Sequence, residues 1–448
     1  MQKLENRARI CLLLAAVLFL GLVVFTWRLV VHGAEWATFY GNTQIYTNGM
    51  INRGTVYDRN DVMLMQCTPN GVVYPDSSVL RMSTVHAVGD PKGNMSTGAI
   101  NMWKGGLIGY NLLNGTYDTT KDGKKITLNI DSKANVAAYE ALGSHNGTVG
   151  VFNYKTGEIL TMVCKPSFDP LGTLPSDPDS SIYFNPFLQG LMTPGSTFKL
   201  VTSAAAIEYD PDIDSFSFTC DGVNHYGNAK FACTGFHVHG TSDFERALAV
   251  SCNGAFGAIT REVGADNMKK EVKACGLTSS MDINGIKTAA GSFDFPSDDE
   301  VALSWAGIGQ GKDQVNPAAM MAFVGSIANG GKAIQPSLIK SSNIIRKVTG
   351  GKSMGEYMSQ DTADRLKSMM KNNVEVTYGT GNFPGLDIYA KSGTAEVGTD
   401  KDNGWFVGFI DDPDHPYAFV IWVQGGGTGY QVGGPIANDV LNTLIQDN

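Results

Sequence analysis

The chain has 448 residues, 43% of them hydrophobic, with 53 glycines and a formal net charge of -9. That length allows two or more domains, and that composition describes folded, turn-rich domains, not a disordered chain. The acidic balance argues against nucleic acid as the partner, and no run of like charge reads as an interaction tail.

Ile10 to Trp27 is apolar and carries no charged residue, which is enough to span a bilayer with some allowance at the ends. Lys3, Arg7 and Arg9 precede it. The positive-inside rule then makes residues 1–9 a cytoplasmic tail and 10–31 a single membrane anchor, with the rest of the chain exported. The run is long for a signal-peptide core and no clear Ala-x-Ala site follows it, so an uncleaved anchor is expected.

Arg53 to Leu64 reads as strand, polar turn, strand. From Pro69 to Asp122 small polar residues recur without a long helical period, which predicts a mostly extended region close to the membrane. Lys125 to Ile130 predicts a strand, and Asp131 the cap of a helix from Lys133 to Leu142. The texture changes at Gly147. Gly147 to Phe152 and Glu158 to Cys164 form a strand pair around the turn at 153–157. A membrane-proximal domain over 34–145 and a second domain over 146–448 are therefore expected.

Pro166 to Pro186 reads as a loop, followed by Pro194-Gly195-Ser196-Thr197-Phe198-Lys199 and an apolar helix. Ser242 is the expected cap of a helix toward Val250. Helices are predicted over Phe256 to Val263, Asn267 to Cys275, Pro317 to Asn329 and Thr362 to Val376. The tail is β-rich, with Ile388 to Thr394, Trp405 to Ile410 and Tyr417 to Gln424, and closes with a helix from Ile436 to Ile445. Strands at both ends with helices between them predict one sheet packed by helices.

The seven cysteines are Cys11, Cys67, Cys164, Cys220, Cys233, Cys252 and Cys275. Their odd number and wide spacing do not outline a disulfide scaffold. Cys220 and Cys233 bracket a polar loop, and an exported domain could oxidise them to a disulfide or leave two free thiols. A zinc site with His225, His237 and His239 is the weaker reading, because the spacing fits no familiar metal pattern.

Ser196 and Lys199 lie three apart at a helix start, so both side chains share one face. A serine needs a base within reach to act as a nucleophile, and a buried lysine with a depressed pKa supplies one. The spacing alone is uninformative, since Ser337/Lys340 and Ser368/Lys371 repeat it. Order and spread distinguish the first copy. After Ser196 come Ser251-Cys252-Asn253 in the helical region and Lys391-Ser392-Gly393-Thr394 on a strand. Lys155-Thr156-Gly157 and Ser341-Ser342-Asn343 echo these pieces but stand in the wrong order or too close.

Ser-x-x-Lys, Ser-x-Asn and Lys-Thr/Ser-Gly in this order resemble the active site of penicillin-binding proteins and serine β-lactamases. Arg53-Gly54-Thr55-Val56-Tyr57-Asp58-Arg59 resembles the pedestal motif of class B penicillin-binding proteins. Thr156 to Leu160, Lys165 to Pro170, His239-Gly240, Gly309-Gln310-Gly311 with Pro317, and Trp405 to Phe409 are similar to the same family. Only about one small domain precedes Gly147, which leaves no room for the glycosyltransferase domain of class A members. Two positions depart from the pattern: Ser392 stands where threonine is usual, and Asn60-Asp61 where Asn-Gly is common.

The resemblance implies an α/β fold: an antiparallel sheet sandwiched by helices, behind a small β-rich pedestal and one transmembrane helix. It implies that Ser196 attacks a D-Ala-D-Ala stem peptide while Lys199 takes its proton, Ser251 relays a proton to the leaving amine, and Lys391 biases both. Asn253 would hold the substrate amide. Ser392, Gly393 and Thr394 would bind the substrate end, and the backbone N–H groups of Ser196 and Thr394 would form the oxyanion hole. A peptidoglycan D,D-transpeptidase that β-lactams acylate is implied, with no cofactor or metal and with a membrane-embedded glycosyltransferase as partner. A D,D-carboxypeptidase, a β-lactamase and a non-catalytic β-lactam sensor or scaffold remain the alternatives.

Overall fold

The computed structural model describes residues 1–116, 122–174, 177, 180–226, 229–341, 350–396, 398 and 401–446, with backbone alone at 225, 226 and 229. Ser342 and Asn343, the weaker echo of Ser251 and Asn253, lie outside the described residues.

Helix α1 (Gln2–Ala37) has 36 residues and is long and apolar enough to cross a membrane. Its side chains from Ile10 to Val31, among them Leu12, Leu18 and Phe19, are exposed almost throughout, as a lipid-facing surface would be.

A four-stranded sheet follows. Strands β1 (Thr55–Tyr57), β2 (Met63–Thr68) and β3 (Gly71–Val73) form an antiparallel run. The segment then continues through α2 (Ser78–Val88) and returns as β4 (Lys125–Thr127), parallel to β1. Helix α2 lies in a stretch whose composition reads as extended. Ser77 caps it by accepting from Leu80 N, and its Arg81, Ser83 and Thr84 are buried. Polar residues on the packed face hide the apolar period that sequence patterning depends on. Asp131 caps α3 (Ser132–Ala141), as predicted, by accepting from Lys133 N and Ala134 N.

The second sheet is built from both ends of the remaining chain. Its strands are β5 (Gly147–Asn153), β6 (Ile159–Lys165), β11 (Ile388–Ala395), β12 (Asn403–Ile410) and β13 (Tyr417–Val423). They run in the order β11-β12-β13-β5-β6, antiparallel throughout. Side chains alternate between two layers, as the two-residue strand period requires. Val149, Val151, Phe406, Phe419 and Ile421 pack with α3 and α10 (Gly429–Gln446). Phe152, Trp405, Val407, Val420 and Trp422 face the larger core on the other side. There α8 (Pro317–Ala328), capped by Asn316, is buried over its whole length.

Among the other helices between the sheet's halves are α4 (Lys199–Tyr209), α5 (Phe244–Ala249), α6 (Asn253–Val263), α7 (Ala265–Ala274) and α9 (Gln360–Asn373). Asp243, not Ser242, caps α5 by accepting from Arg246 N; a carboxylate at that position also meets the positive end of the helix dipole. Between α4 and α5 the described residues include four short strands: β7 (Phe218–Cys220), β8 (Val223–Tyr226), β9 (Ala229–Ala232) and β10 (Gly240–Ser242). β7 pairs with β10, and β8 with β9.

Candidate active site

Ser196 sits in a tight turn, Gly195–Phe198, that feeds directly into α4 at Lys199. Such 3₁₀ geometry places residues i and i+3 in line, which keeps Ser196 and Lys199 on one side. Edge strand β11 lies against this turn. Gly195 has φ +54°, and a Cβ there would stand 2.5 Å from the Thr394 carbonyl oxygen. A Cβ on Gly393 would stand 2.9 Å from Thr197 N. Both positions therefore need glycine for close backbone approach. Trp405 on the next strand fastens the contact by donating from Nε1 to Thr193 O (2.9 Å).

The opposite wall is the junction of α5 and α6. Ser251 holds φ +54° there, a costly conformation for a serine and one that clusters at functional sites. The turn is supported by Thr377, whose Oγ1 donates to Ala249 O (2.7 Å). Asn253 opens α6 and donates through Nδ2 to Ala232 O (3.0 Å).

The two lysines fill the space between these walls, and both are fully buried. Lys199 Nζ donates to Ser251 O (2.7 Å), Ser251 Oγ (3.1 Å) and Asn253 Oδ1 (2.7 Å). Lys391 Nζ donates to Ser251 Oγ (3.1 Å) and to Ser392 O (2.9 Å). Burial pulls the Lys199 ammonium down to about 8. Burial also lowers Lys391 well below the ordinary lysine value, with the Lys199 charge adding to the effect.

The sequence reading pairs Lys199 with Ser196. Among the described residues, the three bonds from Lys199 Nζ go to Ser251 and Asn253. Ser251 O and Asn253 Oδ1 can only accept and so take two N–H groups of Lys199, whereas the Ser251 hydroxyl can accept from the ammonium or donate to the neutral amine. Ser196 is half-buried and lies one turn before Lys199 in the chain.

Tyr378 is a site residue that no motif marks. It closes a π-helical turn, Val374–Tyr378, that follows α9. Its hydroxyl donates to Ser392 Oγ (2.9 Å) and accepts from Ser392 N (2.8 Å). This bonds the edge of β11 at Ser392, where the strand has no neighbour in the sheet. Beyond the end of β11, Asp294, Trp305, Gln310, Lys312 and Glu396 line a cleft of ≈1390 Å³, and Ser196, Lys199, Ser251, Asn253 and Lys391 are not among its lining residues.

Cys220 and Cys233, for which a disulfide or two thiols is the sequence expectation, are free thiols with Sγ atoms 3.6 Å apart. His239 lies beside them, with Nδ1 3.6 Å from Cys220 Sγ. Backbone carbonyl contact is what His237 offers Cys220, and the His225 side chain lies outside the described residues.

A serine at a helix start, one turn before a buried lysine that meets a second buried lysine at another serine hydroxyl, is an arrangement suited to activating a hydroxyl toward acyl transfer. Residues 147–444 match the family described as penicillin binding protein transpeptidase domain, and the chain belongs to that family. The peptidoglycan D,D-transpeptidase PbpA of Mycobacterium tuberculosis is 28% identical to it over 371 residues, 72% of this chain and 73% of that one. Penicillin-binding protein 3 of Bacillus subtilis is 26% identical over 313 residues, 64% of this chain and 46% of its own. Among solved structures, the D,D-transpeptidase domain of a peptidoglycan glycosyltransferase from Eggerthella lenta superposes with a TM-score of 0.74 at 26% identity, over 88% of this chain and 98% of that one. Penicillin-binding protein A from M. tuberculosis, as its imipenem acyl-enzyme complex, superposes at 0.76 and 24% identity, over 88% and 98%.

Proposed function

We propose that this chain is a class B, monofunctional peptidoglycan D,D-transpeptidase that β-lactams acylate at Ser196. The observation that carries the reading is the pair of buried lysines meeting at Ser251 Oγ beside the Ser196 turn. Its relatives named D,D-transpeptidases support the reaction class.

In this reading neutral Lys199 accepts the Ser196 proton as Oγ attacks the penultimate D-alanine carbonyl. The backbone N–H groups of Ser196 and Thr394 hold the oxyanion; losing one such donor typically costs about a hundredfold or more in rate. Ser251, polarised by Lys199 and Lys391, passes a proton to the departing D-alanine amine and is reprotonated by Lys199, which returns to its neutral form. Asn253 holds the substrate amide, while Lys391, Ser392 and Thr394, with Gly393 allowing close approach, hold its terminal carboxylate. An amine from a neighbouring stem peptide then attacks the ester. Its proton returns through Lys199, and Ser196 is freed. The same residues could use water as acceptor.

The division into a pedestal over 34–145 and a transpeptidase domain over 146–448 belongs to this proposal. So does a cytoplasmic N-terminus, supported by Lys3, Arg7 and Arg9 ahead of α1. A membrane-embedded glycosyltransferase is the expected partner, because cross-linking needs newly made glycan. The test is time-resolved labelling with a fluorescent penicillin, with Ser196→Ala as control. Slow-release labelling that depends on Ser196 supports the proposal. Rapid turnover to hydrolysed drug would make the chain a β-lactamase, and no labelling of folded protein would refute the site.

A further inference from the structure

Cys252 occupies the middle of Ser251-Cys252-Asn253, and its thiol accepts from Ala255 N at the start of α6. It meets the thiols of Cys220 and Cys233 and the ring of His239. The four potential ligand atoms all lie within 4.8 Å of one another. Cys220 Sγ to Cys233 Sγ is 3.6 Å, Cys233 Sγ to Cys252 Sγ is 3.8 Å, and Cys220 Sγ to His239 Nδ1 is 3.6 Å. The three cysteines are buried, with Cys252 fully so.

These separations have a simple chemical meaning. Zinc binds thiolate sulfur at about 2.3 Å and imidazole nitrogen at about 2.0 Å, so tetrahedral ligands stand roughly 3.5–3.8 Å apart. Three of the six ligand pairs stand at about that spacing and the other three lie within 4.8 Å, so a small inward adjustment gives a closed Cys₃His set, whose soft sulfur ligands suit zinc. Hydrogen bonds to the sulfur atoms complete the setting. The Ala255 amide donates to Cys252 Sγ (3.4 Å) from the first turn of α6, and the Gly254 amide to Cys233.

We propose that Cys220, Cys233, His239 and Cys252 form a structural zinc site that fixes the Ser251 wall of the active site. Binding exchanges three thiol protons for one Zn²⁺, with no change of oxidation state. Sequence spacing hides the site because its ligands lie on four separate pieces of chain. Cys220 ends β7, Cys233 follows β9, His239 precedes β10 and Cys252 caps α6. The metal would staple this 33-residue excursion, 220–252, to the start of α6. Ala232, which accepts from Asn253 Nδ2, adjoins Cys233, and Ser251 and Asn253 flank Cys252. A ligand shell that holds these neighbours in register positions Ser251 and Asn253 without touching substrate.

The test uses the purified full-length chain in detergent under reducing conditions. Metal analysis should find about one zinc per chain, as one four-ligand site requires. Stripping with a chelator and adding Co²⁺ should produce thiolate-to-cobalt charge-transfer bands and the visible bands of a tetrahedral ion. Cys233→Ser should lose the metal, while Cys67→Ser, at a cysteine far from the cluster, should retain it. If Cys233→Ser does not fold, the wild-type cobalt spectrum and chelator-dependent lowering of Tm still decide the matter. Absence of both bound zinc and cobalt bands in folded wild-type protein overturns the proposal, and so does a Cys220–Cys233 disulfide found in the reduced-state preparation. These readouts are independent of penicillin labelling, so failure of the metal site is distinguishable from failure of the transpeptidase reading.

Discussion

Lys199 and Lys391 approach one oxygen from two different elements, and each ends 3.1 Å from Ser251 Oγ. Two cations this close and this deeply buried cannot both stay charged at ordinary lysine values, because desolvation and mutual repulsion favour the neutral amine. Burial and repulsion thereby favour a neutral amine, and among the described residues the hydrogen-bond partners of the two amines are Ser251, Asn253 and Ser392, none of them a carboxylate.

This gives a pH prediction with a definite sign. Lys199 is pulled down to about 8, and the base form is the neutral one. Acylation by penicillin should therefore rise with pH and reach half its limit near 8, where Lys199 loses its proton. Stopped-flow labelling across that range checks it; a rate that falls as pH rises through 8 would count against Lys199 as the base.

Tyr378 should matter for rate more than for folding. Tyr378→Phe removes the partner of both Ser392 N–H and Ser392 Oγ. Leaving such groups unpaired costs about 1–3 kcal/mol. If that cost falls on the orientation of β11 in the transition state, acylation should slow by roughly tenfold to a hundredfold, with Tm lowered only modestly. Unchanged acylation would mean that water replaces the hydroxyl at that edge.

Gly195 should tolerate no side chain. Gly195→Ala would add a Cβ at φ +54° and 2.5 Å from Thr394 O. A strained dihedral costs on the order of 1 kcal/mol or more, and the strand must also retreat from the turn that carries Ser196. Loss of labelling together with lowered Tm is expected. Full labelling by the alanine variant would show that the close approach of turn and strand is dispensable.

A fourth prediction concerns the contact between α2 and the loop after β6. Arg81 donates to both carboxylate oxygens of Asp169 (2.7 and 2.5 Å) and through Nη1 to Pro75 O and Asp76 O (2.7 Å each). Bidentate, partly buried pairs of this kind are stronger than surface ones. Arg81→Ala should destabilise the chain by about 1–3 kcal/mol, chiefly by stranding Asp169 and the two carbonyls. Asp169→Asn should cost less, since an amide can keep one acceptor in place. Equilibrium unfolding of the two variants compares them directly.

Local signals carried much of this protein into its sequence. The apolar run from Ile10, the Asp131 cap, the hairpin at 147–165 and the alternating strands after Ile388 rest on interactions between neighbours in the chain, so their residue patterns are direct readouts. The three motifs were also legible as residue strings, and the fold brings Lys199, Ser251, Asn253 and Lys391 of those strings into one hydrogen-bonded group. Helix α2 was not, since its packed face carries Arg81, Ser83 and Thr84 and lacks the expected apolar period. Nor was Asp243 as the cap of α5, because Ser242 beside it offers an equally suitable side chain.

Tertiary structure alone decided what those local pieces meet. Tyr378 reaches Ser392 only because α9 delivers it to the edge of β11, and a lone tyrosine after a helix carries no mark of that destination. Lys199 turns toward Ser251 and Asn253 because the α5–α6 junction is packed against α4, a distance of more than fifty residues along the chain. Cys220, Cys233, His239 and Cys252 gather for the same reason. Their convergence depends on which surfaces bury one another, and sequence spacing encodes contacts within a segment far better than contacts between segments folded together by a shared core.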